Sequence, residues 1–102
     1  MTGELFAHVM VENQRFRLPQ GLERISVPTL VVAGKKEYGV MRQSVQDIAK
    51  AIPMAKGYLV AHTRKFSLAE EHNWNMSAPD LFTHMVRAWI TEQPVPSELQ
   101  PI

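Results

Sequence analysis

Glu37 and His72 are the two side chains whose type and placement could do chemistry together. A carboxylate can orient an imidazole and stabilise its charged form, and the imidazole can then accept a proton from a serine or cysteine nucleophile. Glu37 lies three residues beyond the glycine that closes an apolar run, Pro28-Thr-Leu-Val-Val-Ala-Gly34. His72 begins a segment that runs into a helix start, His72-Asn-Trp-Asn-Met-Ser-Ala-Pro-Asp-Leu-Phe82. In that order they match the last two members of a nucleophile–acid–base triad. The first member is missing from the chain. It has no cysteine, and its five serines (Ser26, Ser44, Ser67, Ser77 and Ser97) all lack the flanking glycines of a sharp nucleophile turn.

Other roles are open to the same residues. Glu37 could be a solvated loop acid balancing Lys35 and Lys36, and His72 could pack beside Trp74. His62, directly after the second apolar run, is a rival base, and the spacing of His72 to Pro79 favours His72 over it. Trp74 could line a substrate pocket or simply cover the histidine loop. Glu71, next to His72, could compete for the imidazole. His62, Glu70, Glu71 and His72 match no metal-ligand spacing, so neither a metal nor a cofactor is expected. Arg64 and Lys65 form a basic patch too slight for phosphate binding. His8 and His84 sit within helical stretches.

The elements that must position the pair follow from apolar periodicity. Leu5, Phe6, Val9 and Met10 have helical spacing, and a polar stretch follows, punctuated by Pro19 and Gly21. Thr29 to Ala33 is a continuous apolar run rich in β-branched residues, the pattern of a parallel strand covered on both faces. Met41, Val45, Ile48, Ala49 and Ile52 recur as the face of an amphipathic helix, which Pro53 ends. Gly57 to Ala61 predicts a second short strand. Residues 62–76 read as a long loop, and such loops tend to be functional. Ser77-Ala-Pro-Asp80 reads as a capping box opening a helix whose stripe is Leu81, Phe82, Met85, Val86, Trp89 and Ile90. Pro94, Pro96 and Pro101 predict a frayed, extended tail.

This pattern gives an α/β fold with two parallel strands and about three helices. Two strands leave an apolar edge to be covered, which predicts association with a copy of this chain or with a complementary one. The organisation expected is a helix and loop over 1–19, an α/β region over 20–92 and an extended proline-rich tail over 93–102.

Composition sets the outer limits. A chain of 102 residues with 45% hydrophobic and 21% charged residues reads as at most one soluble globular domain. A formal charge of +1 gives no reason to expect nucleic acid or a lipid surface. No apolar run approaches membrane-spanning length, and the opening residues lack a signal-peptide pattern. Without cysteine there is no disulfide scaffold, and a cytoplasmic home is the simpler expectation.

Taken together, residues 20–92 resemble the C-terminal part of an α/β-hydrolase. The resemblance lies in the Val27–Gly34 strand, the acid three residues later, the helix and second strand, the histidine seven residues before Pro79, and the closing helix with Trp89-Ile90. It implies that Glu37 is the orienting acid, His72 the general base, and residues 1–19 a remnant of the variable cap region. It also implies a small ester, thioester, amide or similar carbonyl compound as substrate. The chain departs from the family pattern in three places. It has no Gly-x-Ser-x-Gly elbow or oxyanion segment, about ten extra residues stand before His72, and Glu71 occupies a position where glycine is common. The expectation is a chain with little activity alone, acting beside a nucleophile-bearing partner, serving as a non-catalytic self-associating module, or arising as a truncated product of a longer reading frame.

Overall fold

The computed structural model describes residues 18–37, 39–61 and 65–102. The expected 4–13 helix and the rival base His62 lie outside them. A single 3-10 turn, Leu22–Arg24, leads into strand β1, Thr29–Gly34. Helix α1, Gly39–Ala51, crosses to strand β2, Ala55–Val60. Two short helices follow, α2 (Leu68–His72) and α3 (Trp74–Ser77), and then the longer α4, Pro79–Ile90. A third strand, β3, spans Leu99–Pro101. The result is a small α/β domain with a mixed sheet in the order β1-β2-β3.

β1 and β2 run parallel in register from Thr29 opposite Ala55 to Gly34 opposite Val60. Strand side chains alternate between faces, and the two helical layers divide accordingly. On one face, Gly57 lets α1 approach closely, since a β-carbon there would lie 3.2 Å from Val45 Cγ1 and 3.3 Å from Ala49 Cβ. On the other face, Val60, Trp74, Met85 and Leu99 form the buried core, with Leu30, Val32, Tyr58 and Leu81 packed against it. Helices on both faces explain why β1 has no polar alternation: neither of its faces meets water freely.

The expected two-stranded sheet and frayed tail need correction. β3 pairs antiparallel with β2, setting Tyr58, Leu59 and Val60 opposite Pro101, Gln100 and Leu99. The backbone bonds Ala61 N–H to Glu98 O and Ile102 N–H to Gly57 O extend this pairing at 2.7 and 3.0 Å. The driving force is Leu99, only 4% exposed, which completes the core beside Val60. β3 covers the outer edge of β2. Among the described residues, no strand covers the outer edge of β1.

The long loop also resolves into more structure than expected, because it contains α2 and α3. The capping box forms at Ser67, whose side chain accepts from the Glu70 amide while Glu70 Oε1 accepts from the Ser67 amide. Ser77 does not cap α4. It belongs to α3, and its hydroxyl donates to Glu70 O at 3.1 Å. Ala78 takes the cap position without a side-chain bond, and Pro79 supplies a first-turn residue that needs no amide partner.

Candidate functional site

The site is built where β1 ends. Glu37 folds back on the strand: its amide donates to Gly34 O at 3.3 Å, and its Oε2 accepts from the Gly34 amide at 3.0 Å. Lys35 N–H is the amide that bonds across to Val60 O of β2. Successive strand amides point in opposite directions, so Gly34 N–H points away from β2, and the Glu37 carboxylate sits on the free-edge side of β1. A carboxylate held in this way is withdrawn from water, and Glu37 is 8% exposed.

His72 closes the short helix α2. Ser67 caps the start of that helix, and its brevity fixes His72 only one turn from the cap. The outcome is a contact of 2.6 Å between His72 Nδ1 and Glu37 Oε1 across 35 positions of sequence. A carboxylate only accepts hydrogen bonds, so Nδ1 carries the proton. When the ring is neutral, its lone pair is then at Nε2. The burial is asymmetric, with side-chain exposures of 59% for His72 and 5% for Glu37. The carboxylate is sheltered and the imidazole is open to solvent.

The two expected residues are therefore in direct contact. Trp74, the third, is 6% exposed and belongs to the core, with its ring edge-on to Phe82 at a centroid distance of 5.6 Å. It also contributes to a cleft of about 290 Å3 shared with Glu37, His72, Met41, Ser44 and Val45. That cleft takes residues from β1 and from both helical layers but none from β2, so it runs along the free edge of β1. Ser44 is a cleft residue that the glycine-flank criterion passed over, and only its position on α1 reveals it. Its hydroxyl donates to Val40 O at 2.9 Å.

Glu71 does not compete for the imidazole. It is 1% exposed, with Oε1 accepting from the Lys36 amide at 2.9 Å. Among the described residues no group of three or more acidic, histidine or cysteine side chains could hold a metal ion. No helix among them is long and apolar enough to cross a membrane. A scan of protein-family models and searches among curated proteins and solved structures found no match to this chain.

Proposed function

We propose that Glu37 and His72 are the orienting acid and general base of an α/β-hydrolase-like site acting on an ester, thioester, amide or related small carbonyl compound. One observation carries this reading: a buried carboxylate fixes Nδ1 of an imidazole at 2.6 Å while the histidine side chain stays 59% exposed. That is the arrangement a general base needs to take a proton from a nucleophile and return it to a leaving group.

The nucleophile and oxyanion donors come, in this reading, from polypeptide added beside the free edge of β1. The cleft holding His72 opens along that edge, and both members of the pair lie at the carboxyl end of a parallel strand, where sites of open α/β sheets form. The cysteine-free composition fits a cytoplasmic setting for such an assembly.

The test is capture of the tagged chain from its own cells, followed by a serine-reactive fluorophosphonate probe. A labelled serine on the captured assembly is expected, with labelling slowed by about 10^2–10^4 when the captured chain carries His72→Ala. Absence of label, or label indifferent to His72→Ala, defeats the proposal. The same open edge supports a second reading, a non-catalytic module that pairs with a second copy of itself through β1. A sharply monomeric species in sedimentation, stable and cooperative on melting, would count against it.

A further inference from the structure

We infer that Glu71 is a positioning residue that holds Glu37 and His72 at their working distance. The inference rests on the reading of that pair as acid and base, and concerns a residue whose buried carboxyl group that reading does not use. Glu71 is adjacent to His72 and accepts from the amide of Lys36, which is adjacent to Glu37. The turn after β1 and the end of α2 are thus joined twice, by the Glu37–His72 contact and by this bond one residue away. Two fixed points between two segments restrain rotation as well as distance; the Glu37–His72 contact alone would restrain only distance.

The end of β1 is built to admit this side chain. A β-carbon on Gly34 would fall 2.7 Å from Glu71 Oε1, 2.8 Å from its Cγ and 2.9 Å from its carbonyl oxygen. Gly34 is therefore gripped twice: its amide donates to Glu37 Oε2, and its side-chain position is occupied by Glu71. Burying a carboxylate is costly unless it accepts strong hydrogen bonds. An apolar side chain could fill the same space without that cost, but it could not hold the Lys36 amide. The capped first turn of α2 supplies the base on which Glu71 stands, with its own amide bonded to Ser67 O at 2.9 Å.

The experiment uses the full chain labelled with nitrogen-15, and reads Lys36 amide exchange and the ring-nitrogen shifts of His72. Wild type should show a protected Lys36 amide and His72 in the Nδ1–H tautomer. Glu71→Gln keeps an acceptor oxygen at the same reach and should preserve both. Glu71→Asp retracts the acceptor and Glu71→Ala removes it. Where melting shows these variants folded, both should lose Lys36 protection and the Nδ1–H preference, falling to the behaviour of a solvated histidine. A folded Glu71→Asp or Glu71→Ala chain that keeps the wild-type tautomer overturns the inference. So does a wild-type Lys36 amide exchanging at an open-loop rate, or a Glu71→Gln chain that loses the Nδ1–H form; these two decide if the shortened variants do not fold. None of these measurements reads hydrolysis, so failure of the probe-labelling experiment is distinguishable from failure here.

Discussion

The side chain of Glu71 crosses Gly34 so closely that Gly34 has no room for a β-carbon. The glycine backbone is not in the left-handed region, so its requirement comes from contact and not from conformation. Gly34→Ala must displace Glu71, including its backbone oxygen, and such overpacking costs about 1–3 kcal/mol. Denaturant unfolding should show a lower midpoint at an unchanged slope. An unchanged midpoint would mean that α2 moves aside freely.

Glu37→Gln separates charge from shape. Glu37 accepts at both oxygens, from Gly34 N–H and from His72 Nδ1. An amide offers one acceptor oxygen, so one of the two bonds must be lost or His72 must change tautomer. A stability loss of about 1–3 kcal/mol is expected. The ring-nitrogen shifts of His72 should move toward the Nε2–H form. In the captured assembly the probe-labelling rate should fall by up to about 10^4, the size expected when the base is held in the wrong tautomer. Retention of the Nδ1–H form together with a still protected Gly34 amide would show that the Glu37 acceptor oxygen does not set the tautomer.

The central elements were legible because burial dictates their pattern. The β-branched run of β1 and the stripe of α1 each have one arrangement that hides their apolar atoms, and the structure adopts it within a few residues of the expected bounds. β3 was not legible, because a three-residue strand ending at Pro101 carries no periodicity, and proline is tolerated on a sheet edge. What forms it is tertiary: Leu99 inserts beside Val60. The approach of Glu37 and His72 could be read from the chain because each is a side chain of distinctive chemistry behind a strand signal, whereas the Glu71–Lys36 bond, equally distant in sequence, ends on a backbone amide that carries no such signal.

Leu99→Ala tests that tertiary account. A frayed tail would lose almost nothing on this change. A core leucine 4% exposed should cost about 2–5 kcal/mol, with the spread set by how far the site collapses. Amide exchange at Ala61, whose N–H donates to Glu98 O beside β3, would rise if β3 detaches, which separates loss of the strand from loss of core packing alone.

Two serines near the site should respond in the opposite order to the one their sequence contexts suggest. Ser67 caps α2 reciprocally with Glu70, and Ser67→Ala should cost about 1 kcal/mol. The Ser77 hydroxyl donates to Glu70 O in an exposed bond, and Ser77→Ala should stay within about 0.5 kcal/mol. Because α2 carries both Glu71 and His72, Ser67→Ala should also broaden the His72 ring signals. Equal losses for the two variants would mean that the α2 cap has no special hold on the site.

Ser44 gives the sharpest test of where the nucleophile resides. It is the serine that shares the cleft with Glu37 and His72, so a self-contained site would have to use it. Its hydroxyl is bonded back to Val40 O within α1, an arrangement that directs the proton toward the helix. A serine on a helix flank also lacks the adjacent amide donors that would stabilise an oxyanion, the contribution that usually dominates acyl transfer. The isolated chain should therefore stay unmodified by a fluorophosphonate at Ser44 and at every other serine, with intact mass after prolonged incubation as the measurement. Modification at Ser44 that disappears in His72→Ala would place the whole triad on this chain and remove the need for a partner at β1.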